Sequence, residues 1–305
     1  MLDVKGAISD WLERRSMRRH RSRIGWRLAP RYSDYLERCR RENPLKPDLD
    51  PAVAAAVETF RRDGVASFWT PRTRAVADAV RSGLELREAA GEAVWKPIND
   101  YAVRNYAGDA WLDFPAFEEL FAGDLGGFLS AYFGSAFKIL YGAMYRSEHL
   151  QEHRIGSQMW HSDSGPGICI NVMFYLHDTT PANGPLEALP WNRSLALYET
   201  EKRLMRRGAL DRYGASKRDR ISNWYAERIA AGDGGPVLQP SGQAGLVVPF
   251  LNNTLHRGGY PAAGHARTAI VFHCYPSHRA IDLARYRAKG IAKSAPYPAD
   301  PAAEF

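Results

Sequence analysis

Two histidines and one aspartate have the types and the spacing to hold a metal ion. His161 and Asp163 are two residues apart in the run Trp160-His161-Ser162-Asp163. On extended chain that spacing points both side chains the same way. A second histidine, His256, lies far downstream after Leu255. One carboxylate and two imidazoles on one side of a metal form the facial triad of non-haem Fe(II) oxygenases, which leaves the remaining positions open. Open positions take O2 and a bidentate cosubstrate. Arg267 follows His256 by eleven residues, with Pro261, Ala262, Ala263 and Gly264 between them as a turn. A hairpin centred between Pro261 and Ala262 would set His256 and Arg267 opposite each other. A permanently charged guanidinium beside the metal can hold the far carboxylate of a dicarboxylate in two hydrogen bonds.

A second histidine grouping competes. His149-Leu-Gln-Glu152-His153 matches the H-x-x-E-H pattern of inverted zinc peptidases. That pattern works only on a helix, where both imidazoles share a face. Here it follows a strand, and Gly156 interrupts it, so it reads as a hairpin loop.

The elements that must position the triad come next. Phe137 to Tyr145, Ile168 to His177, Leu246 to Phe250 and Thr268 to Tyr275 read as strands bounded by Gly, Pro, Asn and Asp turns. In the second of these, Ile168, Ile170, Val172, Phe174 and Leu176 form one apolar face. Cys169, Asn171, Met173, Tyr175 and His177 form the other, so Asn171 points into the site. Ahead of the strands, Pro51 to about Ala90 and Phe117 to Phe133 read as helical, with a short strand at Val65 to Trp69 and an irregular, aromatic stretch over 91–115. Trp191 to Ala231 reads as a charged helical insertion. Helices first and strands later give an α+β domain, an antiparallel barrel or sandwich buttressed by helices on one side. The expected layout is an arm and linker over 1–50, one domain over 51–290 with an insertion near 191–231, and a tail over 291–305.

Composition excludes several classes. Of the 305 residues, 45% are apolar and 25% charged, which is ordinary for a globular protein and unlike a disordered or fibrous chain. No apolar run is long enough to span a membrane, and the N-terminus lacks a signal-peptide core. Cys39, Cys169 and Cys274 are far apart and without metal spacing, which fits free thiols and a cytoplasmic setting. Net charge is +7, from 41 basic and 34 acidic residues. Residues 1–41 hold 12 of the basic and 5 of the acidic groups, also +7, which leaves 29 of each in the rest. The body is therefore neutral and is no surface for nucleic acid. In the arm, Val4, Ala7, Ile8, Trp11 and Leu12 share a helical face ahead of Arg14, Arg15, Arg18, Arg19, Arg21 and Arg23. Such a segment either packs on the body or lies peripherally on an anionic membrane surface.

Three stretches resemble the phytanoyl-CoA dioxygenase family of Fe(II)/2-oxoglutarate-dependent oxygenases. They are FRRDGVASFWTP, SQMWHSDSGPGICINVMFYLHDTTPANGPLEALPWNRS and AGLVVPFLNNTLHRGGYPAAGHARTAIVFHCYPS, and the resemblance covers roughly residues 55–280. It implies a double-stranded β-helix (a cupin-like jelly roll) with helical buttresses. It implies that His161, Asp163 and His256 bind Fe(II), and that Arg267 binds the remote carboxylate of 2-oxoglutarate. It implies a dioxygenase that couples decarboxylation of 2-oxoglutarate, giving succinate and CO2, to hydroxylation of a C–H bond. Asp163 sets the chain apart from the halogenase subgroup, where a small residue stands in its place. Two positions depart from the family pattern. Leu189-Pro190-Trp191-Asn192-Arg193-Ser194 replaces a Gly-Ser-His segment, and Gly258 stands where a small polar residue often helps hold 2-oxoglutarate. The expected substrate is a small metabolite or a sugar-containing molecule, with Tyr145, Trp160, Trp191 and Arg193 as rim candidates. A membrane-surface, lipid-linked sugar is the alternative if the arm anchors the enzyme. The rival readings are a cupin-like metalloenzyme without 2-oxoglutarate and a non-catalytic jelly-roll protein whose arm binds membrane or nucleic acid.

Overall fold

A computed structural model describes residues 30–97, 103–149, 154, 156–163, 169–214 and 216–291. The arm over 1–29, the Glu152-His153 half of the peptidase-like pattern and the tail beyond Ile291 lie outside the described residues.

Helices come first in the chain, and side-chain caps start several of them. Helix α1 spans Pro30–Glu42. Helix α2 (Pro51–Asp63) starts where the Asp50 carboxylate accepts from the Ala52 amide, and it ends at Gly64, whose φ of 71° suits only glycine. Helix α3 (Pro71–Ala89) starts at a reciprocal Thr70–Thr73 capping box. Two short strands follow, β1 (Trp95–Pro97) and β2 (Val103–Tyr106), then a turn of helix, α4 (Ala110–Asp113). The segment expected to be helical over 117–133 is so, as two helices, α5 (Ala116–Ala122) and α6 (Asp124–Phe133), broken at Gly123. Gly126 lets the second helix back onto the carbonyl of Phe121; a Cβ there would collide with it.

The strands are β3 (Ala136–Glu148), β4 (Ile170–Tyr175), β5 (Glu187–Ala188), β6 (Val247–Leu251), β7 (His256–Arg257) and β8 (Ala266–Ser277). Helices α7 (Trp191–Arg206) and α8 (Lys217–Ala230) form the insertion between β5 and β6, and α9 (Leu283–Lys289) follows β8. Among the described residues the larger sheet has the order β1-β2-β3-β8-β4-β6, all antiparallel, and β5 pairs with β7 in a small second sheet. The expected mixture of helix and antiparallel sheet is therefore present. The stretch over 91–115, expected to be irregular, supplies the edge strands β1 and β2 instead. Val65 and Phe68 bridge singly to Phe250 and Val247, so the strand expected there is reduced to two contacts on β6.

The main core lies between α2–α6 and one face of the larger sheet. Ile170, Val172 and Phe174 of β4 and Ile270, Phe272 and Cys274 of β8 enter it, with Phe60, Phe117, Phe121 and Phe128 from the helices. Phe272 meets Phe121 and Phe117 edge-on, with ring centroids 4.9 and 5.5 Å apart. The insertion has its own core, built on Trp160, Leu189, Leu197, Tyr198, Trp224, Tyr225 and Leu255. Among the described residues no helix is long and apolar enough to cross a membrane.

Candidate metal centre

The triad closes because two distant segments pair at its histidines. His161 and His256 exchange backbone bonds in both directions, each 2.9 Å long. Directly opposed residues in such a pair project to the same side, and the two imidazole centroids are 4.4 Å apart. Asp163 is held two residues on, where its amide donates to the Asn252 carbonyl at 2.9 Å. Nε2 of His161 lies 3.7 Å from Asp163 Oδ1, and Nε2 of His256 lies 3.8 Å from Oδ2. One ligand atom from each residue falls within 4.8 Å of the others.

The imidazoles are oriented by their own backbone. Nδ1 of His161 sits 2.7 Å from the Met159 carbonyl, and Nδ1 of His256 sits 2.7 Å from the Thr254 carbonyl. A carbonyl can only accept, so Nδ1 carries a proton in each ring and Nε2 is the nitrogen turned toward Asp163. Asn171 Nδ2 donates to Asp163 Oδ2 at 2.6 Å. Burial pushes the Asp163 carboxyl up, but His256, His161, His273 and the Asn171 amide outweigh it and hold the group below the usual carboxylate range. Two imidazole nitrogens and a carboxylate are the kinds of donor a divalent metal takes.

These residues line one cavity of about 540 Å³ together with Arg267, Tyr145, Asn171 and Gly258. Arg267 is 3% exposed. Its Nη2 donates to Ser147 Oγ at 3.2 Å, while Nε and Nη1 are buried without a hydrogen-bond partner. A buried guanidinium with two idle donors is costly unless an anion arrives to take them. A Cβ at Gly258 would lie 3.9 Å from Arg267 Nη2, so the glycine leaves room next to that group. The Tyr145 ring lies under the guanidinium, 5.9 Å from centroid to carbon. Burial pushes the Tyr145 phenol up, against the pull of Arg267.

The structure corrects the route by which Arg267 arrives. His256 and Arg267 are not partners across a hairpin. His256 pairs with Ala188 and His161, whereas Arg267 pairs with Ser147 on β3. The two face each other from different sheets across the cavity. Three of the four rim candidates are absent from the lining. Trp160 and His161 are adjacent and alternate, so the indole turns into the insertion's core, where it is 2% exposed. Trp191 packs at the junction of two cores, and Arg193 is exposed on α7. His149 contacts the Pro261 carbonyl at 2.9 Å and the Tyr260 ring, outside this cavity.

The cavity also holds residues that sequence reasoning missed, chiefly Tyr141, Ser147, Gln158 and His273. Strand parity carried the signal. Tyr141, Tyr145 and Ser147 share the odd positions of β3, and Arg267, Val271 and His273 share those of β8. Tyr141 and His273 are register partners whose rings meet edge-on at 4.7 Å. Burial pushes the Tyr141 phenol up to about 12 and the His273 imidazole down to about 4.

No protein-family model matches the chain, and no curated protein matches it in sequence. Solved structures do match. EctD from S. alaskensis, solved with bound Fe, superposes with a TM-score of 0.50 at 16% identity, covering 84% of this chain and 90% of that one. SnoN from nogalamycin biosynthesis, an epimerase solved with Fe3+, alpha-ketoglutarate and nogalamycin RO, gives 0.49 at 14%, covering 75% and 85%. AviO1 from Streptomyces viridochromogenes Tue57 gives 0.47 at 23%, covering 75% and 96%. At these identities what the chain shares with EctD is the fold.

Proposed function

We propose that this protein is an Fe(II)/2-oxoglutarate-dependent dioxygenase, built on a double-stranded β-helix, that hydroxylates a C–H bond of a small metabolite or sugar-containing substrate. One observation carries the reading: the His161–Asp163–His256 donor set and the underused Arg267 guanidinium share one cavity. The iron-containing fold neighbour is consistent with it.

In this reading His161 Nε2, Asp163 and His256 Nε2 hold Fe(II), and the ion supplies O2 activation coupled to oxidative decarboxylation of 2-oxoglutarate. Arg267, whose Nε and Nη1 have no hydrogen-bond partner, would take the remote carboxylate of the cosubstrate. Ser147 holds the third nitrogen, so the guanidinium plane is fixed before the ligand arrives. Asn171 keeps Asp163 oriented, and the two backbone carbonyls keep both imidazoles in the ligating tautomer. Met173, Leu186, Phe250 and Val271 line the same space and exclude water from it.

The test is an anaerobic titration of metal-free protein with Fe(II) and 2-oxoglutarate, followed by the visible charge-transfer band of the chelate. Wild type gives the band; Arg267→Ala binds Fe(II) but loses it, and His161→Ala or Asp163→Ala loses metal and turnover while staying folded. Full turnover in either triad variant would sink the proposal. A metal-binding protein that never forms the band would instead be a metalloenzyme without this cosubstrate.

A further inference from the structure

Strand β7 is two residues long and is tied to β5 by two register pairs, Ala188 with His256 and Glu187 with Arg257. Side chains alternate along it, so His256 faces the cavity and Arg257 faces the other way. That far side carries an ionic cluster. Glu187 is 7% exposed. Its Oε2 accepts from Arg257 Nε at 2.8 Å and also from Arg257 Nη2, and its Oε1 lies 3.2 Å from Arg154 Nη2. The Arg257 guanidinium lies over the Trp160 ring, 4.7 Å from its centroid.

Three members of this cluster, Arg257, Trp160 and Glu187, are each one residue from the inner face. Arg257 follows His256, Trp160 precedes His161, and Glu187 precedes the register partner of His256. The backbone of β7 is bonded on both edges at His256, to Ala188 and to His161, which leaves a small residual roll at its Arg257 end, and that roll would swing His256 Nε2 off Asp163. Charge-assisted bonds to Glu187, with an indole against the guanidinium, remove that freedom because a buried charge cannot leave its partner without a large desolvation cost.

We propose that Glu187 is a positioning residue for the metal centre: by clamping Arg257 against Trp160 it sets the roll of β7 and so the aim of His256. The inference rests on the metal reading above. A purely structural role predicts lower stability with unchanged metal affinity, and a positioning role predicts weaker affinity in a chain that is still folded.

Co(II) distinguishes the two, since its visible bands report coordination geometry without turnover. Metal-free full-length wild type, Glu187→Gln and Glu187→Asp would each be titrated with Co(II), with far-UV circular dichroism and a thermal melt as controls. Glu187→Gln is expected to weaken Co(II) binding by up to about 10-fold, the low end of what losing a ligand's own hydrogen-bond partner costs, with altered bands at saturation. Glu187→Asp is expected to recover part of the affinity. If Glu187→Gln fails to fold because Arg257 is left unpaired, Glu187→Gln/Arg257→Gln removes both charges and is expected to fold and still bind weakly. A folded variant with affinity and spectrum indistinguishable from wild type overturns the positioning role. Failure of the wild type to bind Co(II) overturns the metal reading itself.

Discussion

Strands β4 and β8 build two unlike regions from the same backbone. On one face Ile170, Val172 and Phe174 pair with Cys274, Phe272 and Ile270 inside the helix-covered core. On the other face Asn171 and Met173 pair with His273 and Val271 inside the cavity, and Arg267 follows at the end of the row. The first face is hydrocarbon packed on hydrocarbon, and it holds the sheet together. The second keeps a buried guanidinium with idle donors and an imidazole forced neutral. Stability is thus concentrated on the helix side, and it lets the cavity side carry groups that only a ligand would satisfy.

The largest expected break in this comparison is Phe272→Ala. The ring is 0% exposed between Phe117 and Phe121. Its loss costs about 3–5 kcal/mol in urea unfolding, while the fraction that stays folded should bind metal as wild type does. A coupled loss of metal affinity would show that the two faces are not separable.

The next effect belongs to His273. Burial lowers its imidazole from 6.5 to about 4, so between those pH values the unfolded chain takes up the proton first. The His273 contribution to the stability of the metal-free protein is then full above about pH 6.5, falls as the pH drops toward 4, and levels off below. The loss is up to roughly 3 kcal/mol at about 1.4 kcal/mol per unit. Urea midpoints across this range should show the slope in wild type and a flatter profile in His273→Gln.

The smallest effect has the opposite sign. Arg267→Met removes the idle donors and fills the space with a thioether. Metal-free protein should gain roughly 1 kcal/mol, the low end of the penalty for an unsatisfied buried donor, and lose 2-oxoglutarate affinity. A thermal melt and the anaerobic titration together check both halves.

The parts of this molecule that repeat locally were legible in the sequence. The period-two alternation of β4 put Asn171 inward and Ile170, Val172 and Phe174 under the helices, as the structure has it. The His161–Asp163 spacing placed two donors on one side of an extended segment. Pairings between distant segments were not legible. The Pro261–Gly264 turn invited a hairpin, yet Glu187 and Ser147 decide where β7 and β8 go, and they lie 70 residues before Arg257 and 120 before Arg267. Strands β1 and β2, of three and four residues, are too short to show a period. The indole of Trp160 read as a rim group because nothing in its neighbours told of the core it shares with Trp224 and Tyr225.

The insertion's core contains Trp160 and Leu255, the residues immediately before the two paired histidines. Its first helix also grips the second of these directly: Ser194 Oγ accepts from the Leu255 amide at 2.9 Å, and the Tyr198 hydroxyl donates to the Asn253 carbonyl. The insertion is therefore not a detachable module laid over finished sheets. It is a foundation wall of the centre, and a designer who replaces it to change what the cavity accepts must rebuild the footings at 160 and 255 in the same step.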